Sequence, residues 1–179
     1  MNLYFIAIIP EEGLRKKVRN LKEEMRDRFG AKHALKSPAH ITLIPPFKRE
    51  EANERFISDF LSRFAIEQEA FSLILDGFGC FSPGVIYINV KDGEPIRKLH
   101  SKLCSGLNDE YLAAEEELNS RFNPHMTIAT RDLDWEQFKL AWPEYKNRMF
   151  NAEFIVKSVF ILKHNGKFWD IYREFEFGK

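Results

Sequence analysis

Short apolar runs alternate along the chain with longer stretches in which apolar positions recur at helical spacing. The run Tyr4–Ile9 is continuously apolar and is followed by Pro10, a pattern typical of a buried strand. Residues 12–29 carry apolar side chains at helical spacing among charged ones, and Gly30 is well suited to end a helix. The chain is therefore predicted to open with a buried strand and an amphipathic helix.

Elements of both kinds continue to the end of the chain. Residues 153–163 and 168–177 are rich in β-forming residues and flank Asn165-Gly166, a dipeptide typical of hairpins. Together with the other elements, they predict an α+β fold with mostly antiparallel strands and about four helices. The other predicted strands are 40–44, closed by Pro45 and Pro46, 71–75, 85–90 and 126–128, and the other predicted helices are 50–64, 95–107 and a segment that starts at Asp134 and stops at Pro143.

The charge balance narrows the range of partners. The chain has 179 residues, with 27 Lys and Arg against 27 Asp and Glu, so its formal net charge is zero. Non-specific binding to duplex DNA depends on clustered cations that neutralise phosphates, so this balance argues against that class of partner. The acidic run Glu115–Glu117 is expected to be a solvated surface.

Cysteine content and hydropathy bear on location. Cys80 and Cys104 are too few for a disulfide framework in a chain of this length. The apolar run near the start has no basic residues before it and is followed by Glu11 and Glu12, unlike a signal peptide. No stretch reaches the length of a membrane span. We expect a cytoplasmic monomer with no membrane partner.

One short pattern, which reads Pro, then His, apolar, Thr, apolar, occurs twice. Its copies are Pro38–Leu43 and Asn123–Ile128, and each lies at the start of a predicted strand that follows a strand and a helix. The repetition predicts two similar lobes divided near residue 92 and related by a pseudo-twofold axis, allowing for C-terminal strands that cross back. Two such lobes can present their motifs to each other across a groove.

The repeated residues suit phosphate chemistry. Residues i and i+2 of a strand share a face, so His40 projects with Thr42 and His125 projects with Thr127. Two imidazoles near neutrality can divide the work, one accepting a proton and the other donating one. Thr hydroxyls can hold phosphate oxygens. The set suits attack of water on a phosphodiester, or its reverse, and a strained 2′,3′-cyclic phosphate is a fitting substrate.

A metal centre is the weaker alternative. Two His without Cys or carboxylates at ligand spacing form an incomplete zinc set. Asp132 and Asp134 follow His125, but nothing comparable follows His40. Neither cysteine lies in a nucleophile motif, and no Gly-rich phosphate loop precedes a helix.

With these motifs in place, the sequence resembles the 2H phosphoesterase superfamily, specifically its 2′-5′ RNA ligase and RNA 2′,3′-cyclic phosphodiesterase branch. The likeness spans nearly the whole chain. It implies a bilobal fold of two antiparallel-rich sheets flanking a central cleft, with helices outside, and metal-independent catalysis without a cofactor. It also implies acid and base roles for His40 and His125 and phosphate binding by Thr42 and Thr127. The implied substrates are RNA ends or small cyclic phosphates and nucleotides. The matching segments are Tyr4–Ile9 with the following helix, 78–81 leading to 85–90, and the last hairpin.

One position departs from the family pattern. Many RNA-directed members carry Arg three residues after the second Thr, whereas here that position is Thr130 and Arg131 follows. In a regular strand Arg131 would share the face of His125 and could reach the phosphate, with a solvated strand end as the alternative reading.

Aromatic strand residues are candidates for substrate contact. Tyr87, Phe5 and Trp169 could each stack on a base, and His33 could line the mouth of the cleft. His164, at the hairpin turn, is expected to be solvated. Two other functions stay open from the sequence: a nucleotide- or RNA-binding module without turnover, and a structural domain with a decayed repeat.

Overall fold

The computed structural model describes residues 1–110, 112–113, 118 and 122–179, and it contains two antiparallel sheets of four strands each with four described helices. The predicted α+β class is confirmed. The strands are β1 (Asn2–Ile8), β2 (Ile41–Arg49), β3 (Phe71–Phe81), β4 (Val85–Lys91), β5 (His125–Ala129), β6 (Asn151–Val156), β7 (Ser158–His164) and β8 (Trp169–Glu176). The helices are α1 (Glu12–Phe29), α2 (Glu54–Ile66), α3 (Glu94–Asp109) and α4 (Trp135–Tyr145), with short 3-10 turns at His33–Lys36 and Glu51–Asn53.

The two sheets have matching strand orders. The first sheet runs β2-β1-β7-β8 and the second runs β5-β4-β3-β6. In each sheet, an edge strand that carries a His-x-Thr motif pairs with an earlier strand that is followed by a helix: β2 pairs with β1, which α1 follows, and β5 pairs with β4, which α3 follows. This correspondence is the pseudo-twofold relation that the repeated motif predicted.

The division between the sheets does not fall near residue 92, where the sequence suggested a split. β3 and β4 precede that residue but pair with β5 and β6. The chain leaves the first sheet after β2 and returns at Lys157, so the single strand predicted over 153–163 is two strands in different sheets. The burial pattern changes at the same point, since β6 alternates whereas Ser158–Leu162 is buried throughout.

The two consecutive prolines do not end β2, contrary to the prediction. The strand continues through Pro45 and Pro46 to Arg49. Proline lacks an amide hydrogen, but β2 is an edge strand, so its outward amides have no sheet partner to lose. The register against β1 also shifts by one residue in this segment, as expected for a bulge.

Both faces of β1 are covered, which explains its continuous apolar sequence. Tyr4, Ile6 and Ile8 pack into the main core with side chains of the helices. Phe5 and Ala7 point the other way, into a smaller cluster with side chains of β7. The face that carries Phe5 is also the one nearest to His40 and Thr42 of the first motif.

The helix ends follow their local sequences, with one exception. The helix α1 has the predicted bounds, and Gly30 ends it with a left-handed φ of 72°. Asp134 begins α4 as predicted, because its Oδ1 accepts a hydrogen bond of 2.8 Å from the Gln137 amide. Pro143 was expected to stop that helix, but α4 continues for two residues beyond it. Near a helix end the proline removes only one amide bond, which the last turn tolerates.

The C-terminal hairpin predicted from Asn165-Gly166 is present. β7 and β8 pair antiparallel, with His164 opposite Trp169. Gly166 has a φ of 98°, which favours glycine. The Asn165 side chain accepts two backbone hydrogen bonds within the turn, at 2.9 and 2.7 Å.

None of the helices in the described residues is long and apolar enough to cross a membrane. The acidic run Glu115–Glu117, for which a solvated surface was expected, lies outside the described residues.

Candidate active site

The two His-x-Thr motifs lie on edge strands that contact each other. Thr42 of β2 and Thr127 of β5 are both half-buried and line one cleft of about 470 Å³. His40 lines the same cleft immediately before β2 begins. His125 is the first residue of β5 and shares a face of that strand with Thr127. The fold therefore brings His40, Thr42 and Thr127 into one cleft, and His125 lies on the adjoining strand, where its charge acts on His40.

Both histidines make the same backbone hydrogen bond. His40 Nδ1 lies 2.8 Å from the Pro38 carbonyl oxygen, and His125 Nδ1 lies 2.7 Å from the Asn123 carbonyl oxygen. A carbonyl oxygen can only accept, so Nδ1 carries the hydrogen in each ring. In the neutral tautomer, Nε2 is then left with a free lone pair that can take or return a proton. The acceptor is two residues before the histidine in both motifs, which fixes the two rings in equivalent ways.

The electrostatic surroundings of the two rings differ. The pKa of His40 is lowered from 6.5 to about 4, chiefly by burial and next by the positive charge of Lys22, with the bond to Pro38 opposing the shift and a protonated His125 adding to it. Burial also lowers the pKa of His125, with the bond to Asn123 opposing it, but no lysine acts on it. His40 is therefore held in the neutral form more strongly than His125.

After burial, the charge of a buried lysine adds to this difference, and the sequence analysis did not identify that lysine. Lys22 is 2% exposed and lies on the apolar face of α1. Its Nζ donates to three carbonyl oxygens of the segment before β2, those of Ala34 at 3.0 Å, Ser37 at 3.0 Å and Pro38 at 3.2 Å. One sequence signal was present: Lys22 follows Val18 by four residues, within the stripe of buried positions.

Aromatic rings surround His125. Its ring centroid lies 4.9 Å from that of Tyr87 and 5.0 Å from that of Phe81, and these two are 4.6 Å apart. Tyr87 is half-buried and pairs directly with Thr127 across the β4–β5 ladder. A Cβ atom at Gly79 would come 2.5 Å from the Tyr87 ring, so glycine is what lets the ring lie across β3. Tyr87 thus lies beside His125 and Thr127, but it is not among the residues that line the cleft.

A second group of rings surrounds His40. Phe5 lies 4.8 Å from the His40 ring and 4.6 Å from Trp169. Phe5 is only 3% exposed, so it supports the other two rings and offers little free surface to a substrate. His164, expected to be solvated, instead lines the cleft and packs 4.9 Å from Trp169, because the hairpin brings the end of β7 to the site.

Arg131 reaches the cleft by a different route from the predicted one. β5 ends at Ala129, and Arg131 has a left-handed φ of 63°, so it does not continue the strand as a regular residue. It nevertheless lines the cleft together with His33 and Lys36. Burial lowers the pKa of His33, and the charges of Arg131 and Lys36 add to the effect. The mouth of the cleft is therefore cationic, which suits a phosphate.

A carboxylate beside this group, that of Asp132, bonds to the backbone. Asp132 accepts hydrogen bonds of 3.1 Å from the backbone amides of Lys32 and His33, and so it fastens the 3-10 turn to the end of β5. Across the part of the chain that the structure describes, no three His, Cys, Asp or Glu side chains are grouped so as to hold a metal ion.

Comparison with known proteins identifies relatives over nearly the full length. A family model described as the 2′-5′ RNA ligase superfamily matches residues 10–168. A protein of Geobacillus sp. (strain WCH70), provisionally named a phosphoesterase, is 30% identical over 179 residues, which cover 98% of this chain and 96% of the relative.

Solved structures show the same fold. TT0787 of Thermus thermophilus is similar with a TM-score of 0.72 and 22% identity, covering 99% of this chain and 98% of that one. LigT of E. coli, crystallised with 3′-AMP, has a TM-score of 0.68 and 15% identity, covering 99% of both chains.

Proposed function

Since the chain belongs to the 2′-5′ RNA ligase superfamily, we propose that it is a metal-independent cyclic phosphodiesterase. It opens 2′,3′-cyclic phosphates on RNA ends or small nucleotides, with 2′-5′ ligation as the reverse reaction. The observation that carries the proposal is the pair of equivalent histidines. Each is oriented by a backbone carbonyl, and each stands beside a Thr on adjoining edge strands.

The reaction divides between the two imidazoles. One His takes a proton from water as the water oxygen bonds to phosphorus, and the other gives a proton to the ribose oxygen as its bond to phosphorus breaks. The hydroxyls of Thr42 and Thr127 donate to the non-bridging phosphate oxygens, on which negative charge grows in the transition state. The stronger bias of His40 toward its neutral form favours His40 as the base and His125 as the acid in the hydrolytic direction.

The walls of the cleft suit a nucleotide or an RNA end. Arg131 and Lys36 line the cleft and can supply positive charge for the phosphate. Trp169 also lines the cleft, with Phe5 packed against it, and in this proposal Trp169 and Tyr87, which lies beside His125, stack on a base. E. coli LigT has been crystallised with 3′-AMP, ATP and NADP+, which are small nucleotides of this kind.

We place the protein in the cytoplasm as a monomer. Cys80 and Cys104 are unpaired, which suits a reducing compartment.

A binding module without turnover is the second candidate. LigT has been crystallised with ATP and with NADP+, neither of which contains a cyclic phosphate. This observation favours a protein that binds nucleotides without hydrolysing them. Such a module would take up nucleotides in the same cleft and release them unchanged.

The test is hydrolysis of a short RNA with a 2′,3′-cyclic phosphate end in the presence of EDTA. Wild-type protein is expected to give a linear phosphate end, and His40→Ala and His125→Ala are each expected to lose roughly 10²- to 10⁴-fold in rate. His100→Ala is the matched control, because His100 lies on α3, stacked on Phe122 and away from the cleft.

The outcomes separate the two candidates. The proposed activity is wrong if the wild type opens neither this RNA nor a cyclic nucleotide at any pH from about 5 to about 9. A nucleotide that raises the melting temperature without forming product points to the binding module instead. Loss of activity on addition of EDTA would contradict metal-independent catalysis.

A further inference from the structure

Lys22 is an unusual residue for the inside of a protein. A buried ammonium is costly unless each of its donors is satisfied. Here the three hydrogens have three acceptors, the carbonyls of Ala34, Ser37 and Pro38, at 3.0 to 3.2 Å. The cation thereby ties α1 to the whole segment that leads into β2, and so to the residue before the first motif strand.

The lysine and the first histidine share an acceptor. The Pro38 oxygen receives Lys22 Nζ at 3.2 Å and His40 Nδ1 at 2.8 Å, so these two nitrogens are at most about 6 Å apart. A like charge at this range disfavours protonation of an imidazole. In the described residues, no lysine or arginine is bonded to the Asn123 carbonyl that orients His125. Among the described residues, the two halves are therefore symmetric in their histidine bonds but differ in the cation bonded to the orienting carbonyl.

We propose that Lys22 is a positioning residue that holds the turn before β2, and that its charge adds to burial in making His40, rather than His125, the histidine that stays neutral. The catalytic importance of Lys22 rests on the proposed function, whereas its effect on His40 can be measured without any activity. It explains how a site with two equivalent motifs acquires a fixed direction of proton transfer.

The other charged groups around His40 do not supply this asymmetry. His125 approaches from β5, His33 and Lys36 come from the 3-10 turn, Arg131 follows β5, and His164 ends β7. Lys36 is exposed. The nearby carboxylate of Asp132 is engaged by backbone amides. On α1 itself, Arg19 is close enough to lower the pKa of Lys22. Lys22 is the buried cation that is bonded to the same carbonyl as His40.

The protonation of Lys22 fits this role. Burial lowers its pKa to about 7, with Arg19 contributing, while the three carbonyls favour the charged form. The ammonium is therefore charged in the acidic range, in which His40 titrates.

The test measures the imidazoles directly, by NMR titration of the ring protons, with His40 assigned from the His40→Ala spectrum. In wild type, His40 is expected to stay neutral well below the pH at which an ordinary histidine titrates. In Lys22→Met its midpoint is expected to rise by about one pH unit, a tenfold change in proton affinity. The matched control is Lys17→Met, the same change at an exposed position of the same helix, which is expected to leave the midpoint in place.

A second variant, Lys22→Gln, keeps the test decisive if Lys22→Met does not fold. Lys22→Gln keeps an amide that can donate to two of the carbonyls but removes the charge, so it separates the electrostatic effect from the order of the turn. The inference is overturned if His40 of folded Lys22→Met or Lys22→Gln titrates as in wild type. An ordinary midpoint for His40 in the wild type itself overturns it as well.

The pH dependence of kcat/KM provides an independent measurement of the His40 pKa. If the proposed hydrolysis is observed, the acid limb of kcat/KM in Lys22→Gln should move to higher pH by the same one unit, about tenfold in proton affinity. A protein that hydrolyses nothing but shows the shifted His40 midpoint would reject the proposed function and keep the role of Lys22.

Discussion

Replacement of Gly79 by alanine tests whether the rings of Tyr87 and Phe81 position His125. The new Cβ would lie 2.5 Å from Cε2 and 2.7 Å from Cζ of Tyr87, and 2.6 Å from Oδ1 of Asn89. Carbon atoms pack comfortably at about 3.5 to 4.0 Å, so the tyrosine ring must withdraw by roughly 1 Å. The ring already packs against Phe81 at 4.6 Å and His125 at 4.9 Å, so a shift of the ring is expected to disturb its contacts with both.

Two magnitudes follow from this geometry. Overpacking of this kind costs about 1 to 3 kcal/mol of stability. A shift of about 1 Å in a reacting group can cost up to roughly 10²-fold in rate, so kcat should fall more than KM changes. The fall in kcat is expected because His125 is displaced, whereas Thr42, the proposed phosphate ligand on β2, is untouched.

Three measurements check the prediction: urea unfolding, kcat for a cyclic nucleotide, and the NMR shift of the His125 ring, which does not depend on activity. Gly13→Ala is the control, because a Cβ at Gly13 in α1 meets nothing within 4 Å. That change should leave kcat unaltered and stabilise the protein by about 0.5 to 1 kcal/mol. Wild-type stability together with an unchanged His125 resonance in Gly79→Ala would refute the reasoning.

The other predictions concern the motif residues and one helix cap. Thr42→Val and Thr127→Val each remove a hydroxyl that is proposed to donate to a charged phosphate, so each should lower kcat/KM roughly 10- to 100-fold at an unchanged melting temperature; a smaller loss would contradict that bond. The pKa of His40 is lowered from 6.5 to about 4, so the unfolded chain binds the proton first and stability falls as the pH drops through this range. The loss at about pH 5 should be roughly 2 kcal/mol, and urea unfolding of His40→Asn should show less of it. Asp134→Ala removes the cap of α4 and should cost about 1 kcal/mol in urea unfolding, whereas an unchanged midpoint would mean that the cap bond contributes nothing.

Local patterns were sufficient for most of the individual elements. The bounds of α1, the cap at Asp134 and the hairpin at Asn165-Gly166 follow from interactions between residues close in sequence, and the structure has all three. The same holds for the motif strands, because residues i and i+2 share a face wherever a strand forms. The sequence reading erred at Pro143, because one missing amide bond near a helix end is outweighed by the packing of the turn.

The local sequence pattern did not predict which sheet each strand joins. Lys157 separates two strands that read as one, and the prolines of β2 are tolerated because that strand lies at an edge. Both facts depend on which strands pair with each other, and the spacing of apolar residues does not specify the partner of a strand.

By itself the sequence determined which residues form the candidate chemistry: a repeated His and Thr at strand spacing, in a family whose fold the chain shares. Only the tertiary structure decided what surrounds them. It places the ammonium of Lys22 on the carbonyl that orients His40, and it turns Arg131 into the cleft after its strand has ended. Burial and charge at a site are sums over neighbours that are far apart in the chain. For that reason, two motifs that read alike in the sequence become electrostatically different in the folded protein.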